Sequence, residues 1–120
     1  MVSTTKAAQS SEARLDLVFR ALGDRTRRSL LATLAEGPAM ITELAAPFHM
    51  SLPAVSRHIR VLERARLVKR TVDGRIHRCA LQAGPLRDAE QWLLHYRHFW
   101  EGTLDALARY IEGFPVKRRR

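Results

Sequence analysis

Apolar positions recur in this chain first at helical spacing, switch once to alternation, and then return to helical spacing. The opening stretch MVSTTKAAQSSE has no recurrence and predicts a mobile polar tail over 1–12. From Arg14 the pattern begins: Leu15, Val18, Phe19 and Leu22 mark one face of a short helix ended by Gly23. Asp24 is a suitable N-cap for a second helix, whose apolar face is Leu30, Leu31 and Leu34 and whose stop is Gly37-Pro38. Thr42 is expected to cap a third, short helix carrying Leu44, Ala45 and Phe48, kept brief by Pro47. Ser51 caps a fourth. Pro53 lies in its first turn, where a missing N–H costs nothing, and Val55, Ile59 and Leu62 face inward as far as Ala65 or Arg66.

The period then becomes strand-like. Leu67 to Val72 and Arg75 to Leu81 flank Asp73-Gly74, a strong signal for a hairpin with a two-residue loop. After Gly84-Pro85 one long helix is expected from Leu86 to Glu112, ended by Gly113 and Pro115. The predicted fold is therefore mainly α with a small β-hairpin, in the order α-α-α-α-β-β-α. One folded domain is expected over 13–113, followed by a basic tail over 114–120.

Composition sharpens this picture. The 120 residues are 46% hydrophobic and 28% charged, enough for one domain with a modest core. The formal charge of +9 favours a polyanionic partner, either nucleic acid or an anionic membrane surface. Four of the cations are the closing Lys117, Arg118, Arg119 and Arg120, so the remainder is still basic. The single cysteine, Cys79, rules out a disulfide framework within the chain and is expected to be packed in a strand. No stretch approaches the ~18 apolar residues of a membrane span, and no apolar run at the start suggests a secretory signal; the expected location is the cytoplasm.

Two short helices joined by a tight turn, the second capped by serine and exposing polar groups, form a helix-turn-helix pattern. The inner face of the second helix anchors on the core while its outer face offers donors to base edges and phosphates. The outward candidates are Ser51, Pro53, Ala54, Ser56, Arg57 and Arg60. Arg57 can donate two hydrogen bonds to a guanine edge, Ser56 permits close approach, and Arg60 is better placed for phosphate. His58, between Val55 and Leu62, suits either a hydrogen bond to backbone or a phosphate contact. Lys69, Arg70, Arg75, His77 and Arg78 flank the tight turn, so the hairpin can act as a basic wing. Helix followed by basic hairpin is far more specific than either part, and points to double-stranded DNA.

Leu15 to Leu81 resembles the arsenic-repressor (ArsR/SmtB-type) family of bacterial winged-helix regulators. The resemblance is carried by Phe19-Arg20-Ala21-Leu22-Gly23-Asp24-Arg25-Thr26-Arg27-Arg28, by Ile41-Thr42-Glu43-Leu44-Ala45, by the run from Ser51 to Leu62, and by Ala65-Arg66-Leu67-Val68 with Asp73-Gly74-Arg75. It extends more loosely to Trp92-Leu93-x-x-Tyr96-Arg97-x-Phe99-Trp100, which is similar to a branch that does not sense metals. The resemblance implies a homodimeric repressor of transcription that binds an imperfect palindrome.

Dimerisation also has a direct rationale. Trp92, Leu93, Tyr96, Phe99, Trp100, Leu104, Leu107 and Ile111 make an apolar stripe wider than so small a domain can cover. Pairing with its symmetry mate and with Leu15, Val18, Phe19 and Leu22 would bury it. A two-fold dimer would also place two recognition helices about one DNA turn, ~34 Å, apart.

The resemblance raises the question of a metal, because the family often releases DNA on binding one. Its thiolate site needs a cysteine pair near Glu43-Leu44, where this chain has Ala45 and Ala46. On the last helix His98-x-x-Glu101 matches the later half of a second family site, but Asp88-x-Glu90 stands in place of the earlier Asp-x-His. No metal or other cofactor is expected. A metal-responsive repressor using His95, His98 and Glu101 is one alternative, and a winged helix that docks protein is another. There is no phosphate loop, nucleophile motif or carboxylate pair with a histidine, so no enzyme is expected. The effector is unknown.

Overall fold

In a computed structural model the chain is described over residues 2–113, with side chains from residue 10 onward. The elements run α1 (Val2–Leu22), α2 (Arg25–Leu34), β1 (Ala39–Met40), α3 (Ile41–Ala45), α4 (Leu52–Arg64), β2 (Val68–Asp73), β3 (Ile76–Leu81), α5 (Gly84–Leu94) and α6 (Arg97–Glu112). The chain divides into two compact units, residues 1–89 and 90–120, where the sequence pattern predicts one body over 13–113. The basic tail expected over 114–120 lies outside the described residues.

The first unit is built on α2 and α4. Asp24 caps α2 as expected, its carboxylate accepting from the Arg27 N–H at 3.0 Å. Leu30, Leu31 and Leu34 pack inward against Val55, Ile59 and Leu62 of α4, all buried. Val18 and Ala21 of α1, Leu44 of α3, and Leu67, Val68 and Cys79 of the sheet region complete this core. α4 ends in a Schellman motif: Leu67 N–H donates to the Leu62 carbonyl at 2.9 Å and Arg66 N–H to that of Glu63 at 2.9 Å. The residue that turns left-handed there is Arg66, with φ 61°. The motif sends the chain directly from the helix into β2, so α4 and the hairpin are tied by backbone hydrogen bonds.

Four features depart from the sequence expectation. The helix α1 begins at Val2, where the pattern predicts a tail over 1–12. Nothing over 2–12 breaks a helix, and the Arg14 guanidinium donates to Ser10 and Ser11 one turn back. Hydrophobic periodicity reports a buried face, and a helix whose residues Ser10 to Arg14 are all exposed has none to report. α3 starts at Ile41, one residue before its expected cap Thr42; the Glu43 carboxylate accepts from the Met40 N–H at 2.8 Å instead. A third strand, β1, pairs antiparallel with β3, giving the sheet order β1-β3-β2. Finally, the long last helix is two helices, separated at His95 and Tyr96 by tight turns in which their N–H groups reach only to Trp92 and Leu93.

The hairpin loop is also shifted by one residue. Asp73 pairs with Ile76, so the two loop residues are Gly74 and Arg75 rather than Asp73 and Gly74. Gly74 at the first loop position, with φ 63°, fits the mirror-image turn that favours glycine there. Arg75 therefore sits at the tip.

Candidate nucleic-acid interface

The helix α4 separates its two faces sharply. Val55, Ile59 and Leu62 have 0% of their surface exposed, whereas Ser51, Pro53, Arg57 and Arg60 are exposed on the other side. Ser51 Oγ accepts from the Ala54 N–H at 3.2 Å, capping the end whose first turn holds Pro53. Ala54 and Ser56 are half-buried. The face left open carries two guanidiniums and short side chains, which lets the backbone approach a surface closely.

How α4 is held was not foreseen from the sequence. The Arg27 side chain donates to the carbonyls of Ala21 at 2.8 Å and Arg20 at 2.9 Å, so it closes the last turn of α1. Arg28 closes the same turn through the Leu22 carbonyl at 2.7 Å. The remaining Arg27 nitrogen, Nη1, lies 3.2 Å from Nδ1 of His58 on α4. A guanidinium only donates, so in the neutral imidazole this contact makes Nδ1 the acceptor and puts the ring proton on Nε2. Asp24 Oδ2 is 3.8 Å from the same Nδ1. Its carboxyl is held below the ordinary range chiefly by the Arg27 N–H; burial opposes this, and the charges of the protonated form of His58 and of Arg27 assist. The cluster Asp24, Arg27 and His58 therefore fixes α4 against α1 and α2. His58, expected among the DNA contacts, spends one ring nitrogen inward and keeps Nε2 for an outside partner. The signal for this was visible in the Asp24-x-x-Arg27 spacing and in a histidine beside the apolar face of α4.

The cations expected on the wing separate into three groups. Arg75 is exposed at the tip. Lys69 and Arg78 are exposed on the outer face of the hairpin, because Lys69 pairs with Ala80 and Thr71 with Arg78, alternate to the buried Val68 and Cys79. Arg70 is on the inner face and is not a free cation: it donates to Glu63 of α4 at 2.8 Å, its Nη1 lies 3.3 Å from His77 Nδ1, and only 15% of its side chain is exposed. This salt bridge links β2 to α4, so Arg70, expected among the wing's DNA contacts, is largely engaged within the fold. Arg75 and Ser56 line the wall of one cavity, together with Arg70 and His77, whereas Lys69 and Arg78 are not among its lining residues. Burial raises the Cys79 thiol above its usual range, which keeps it protonated and inert.

In the second unit, every residue from Glu90 to Gly113 is exposed. Trp92, Leu93, Tyr96, Phe99, Trp100, Leu104, Leu107 and Ile111 are between 42% and 64% exposed, and Leu94 and Tyr110, absent from the expected stripe, add to them. Val18, expected beside this stripe, is 2% exposed and belongs to the core of the first unit, so it is unavailable to a partner. Leu15, Phe19 and Leu22 are half-buried against that core. Among the described residues, no three His, Cys, Asp or Glu side chains gather as a metal site. His95 Nδ1 lies 3.1 Å from the Trp92 carbonyl, and Glu101 accepts from Arg97 at 2.9 Å. Among the described residues, no helix is long and apolar enough to cross a membrane.

Residues 22–71 match the profile of a helix-turn-helix domain. The chain is 49% identical over 53 residues to the HTH-type transcriptional regulator Rv2034 of Mycobacterium tuberculosis, covering 44% of this chain and 50% of that protein. It is 30% identical over 79 residues to the transcriptional repressor SdpR of Bacillus subtilis, covering 66% of this chain and 88% of the repressor. The crystal structure of an ArsR family transcriptional regulator, RHA00566, superposes with a TM-score of 0.71 at 39% identity, over 75% of this chain and 93% of the other.

Proposed function

The chain belongs to the ArsR family of winged helix-turn-helix transcriptional regulators, DNA-binding proteins and not enzymes, and on that premise we propose that it is a homodimeric repressor reading an imperfect palindrome. The observation that carries this reading is the division of α4: an inner face wholly buried, an outer face of Ser51, Pro53, Arg57 and Arg60 left open, and Arg75 at the tip of the hairpin that follows. In this reading Arg57 reads a base edge in the major groove, Ala54 and Ser56 allow the approach, and Arg60 and His58 Nε2 meet phosphates. Arg75 reaches the backbone or the minor groove, while Lys69 and Arg78 contribute a longer-range positive field.

The dimer is supported by the exposed stripe of the second unit. Helices of 11 and 16 residues are marginal in water by themselves, so apolar burial must stabilise them, and a second copy of the same stripe supplies it. The protein then acts in the cytoplasm, on the chromosome. Selection of bound fragments from genomic DNA tests the whole reading. The expected result is an inverted repeat with half-site centres about 10 bp apart. Enriched fragments without two-fold symmetry would overturn the dimer on a palindrome, and absence of enrichment would overturn sequence-specific binding.

A further inference from the structure

A cavity of about 360 Å³ opens between the N-terminal part of α4, α3 and the hairpin. Its size falls in the range of roughly 300–1,000 Å³ typical of small-molecule sites. Its walls divide by chemistry. Met40, Leu52 and Ile76 supply an apolar side, and the last two are nearly half exposed, at 46% and 48%. Ser56, Arg70, Arg75 and His77 supply hydrogen-bond donors, and no Asp or Glu is among the lining residues. Arg70 donates to Glu63 through Nη2 and still has guanidinium N–H groups to offer, and the exposed Arg75 meets no carboxylate in this wall.

We propose that this cavity is an effector site for a small organic anion, a carboxylate carried on an apolar body, and that its occupation excludes DNA. The carboxylate lies against the guanidiniums of Arg70 and Arg75, and the apolar body covers Leu52 and Ile76. Exclusion follows because Ser56 and Arg75 serve both the cavity and the DNA-facing surface. That last step rests on the proposed DNA reading, whereas binding of the anion does not.

The test is calorimetric titration of the full-length protein, without DNA, using 2-naphthoate and octanoate as probes and 2-naphthylmethanol as the uncharged counterpart. The expected result is saturable binding of a carboxylate, at least ~10-fold weaker for the alcohol and at least ~10-fold weaker in Arg75→Ala and in Ile76→Thr. Both substituted positions are exposed, and thermal melts of the two variants check that they fold. Equal affinity in parent and variants places the probe elsewhere and overturns the site. So does an alcohol that binds as well, or no saturation by either carboxylate up to ~5 mM. A second arm follows a labelled duplex by fluorescence anisotropy. Addition of the bound carboxylate should weaken the parent's DNA affinity at least ~10-fold, and an unchanged affinity overturns exclusion while leaving the cavity result intact. If the duplex is not bound even without probe, the DNA reading fails on its own account.

Discussion

Arg66 stands where a glycine would be unstrained. With φ 61° it is the one non-glycine residue of positive φ among the described residues, and its side chain is exposed. The left-handed conformation costs a side-chain-bearing residue about 1–2 kcal/mol, partly offset because glycine loses more freedom on folding. Arg66→Gly is therefore expected to raise the thermal midpoint by a few degrees, corresponding to up to ~1 kcal/mol. A lowered midpoint would mean that the guanidinium makes a contact worth more than the strain. Asp24 offers a second test, through pH. Its folded pKa lies below the ordinary 3.8, so its contribution is present above that value and is lost as pH falls through the folded one. Asp24→Asn retains an N-cap but removes the charge facing Arg27 and His58. Because 37% of the Asp24 side chain is exposed, the variant should lose under ~1 kcal/mol at pH 7. In urea titrations from pH 7 to pH 2 the gap should close on the acid side. A gap that does not change with pH would reduce Asp24 to a geometric cap.

At the scale of elements, α4 and the wing have separable tasks. Arg57→Ala should narrow the difference between a specific site and a mismatched one by ~1–3 kcal/mol, with modest loss on random duplex. Arg75→Ala should weaken binding to all sequences alike and lower the slope of log affinity against log salt by ~1. Anisotropy titrations across several salt concentrations distinguish the two patterns. If Arg57→Ala leaves discrimination intact, the base-reading role moves to other residues of α4. These two elements were legible in the sequence because their signals are local: Ser51 and Pro53 at a helix start, a 3.6-residue apolar period, and a turn glycine between alternating runs. What was missed is non-local or unmarked. β1 is two residues long, and its partners Cys79 and Arg78 lie far along the chain, so no window of sequence contains the pair. The break at His95 and Tyr96 has no Gly or Pro to mark it. Arg70 looked like any other wing cation; its commitment to Glu63 depends on how the hairpin folds back onto α4.

For the molecule as a whole, the decisive asymmetry is that the first unit has a closed core and the second, among its described residues, has none. Trp100, Leu104, Leu107 and Ile111 recur along α6 at steps of four, three and four, so they share one face, and each is more than half exposed. Such a face in water favours either association or loss of helix, and the two outcomes can be read separately. Leu104→Glu combined with Leu107→Glu puts like charges opposite each other across a two-fold seam without touching the core of the first unit. Light scattering should then return the mass of a single chain where the parent gives twice that, and circular dichroism should show reduced helix content as α6 loses its support. Affinity for a palindromic site should fall by more than ~10-fold, because the second half-site no longer binds as a linked event. Binding to a single half-site should change little, since Arg57 and Arg75 belong to the other unit. A double variant that keeps both its mass and its palindrome affinity would place the dimer contact on another surface and leave the exposed stripe of α6 without a role in pairing.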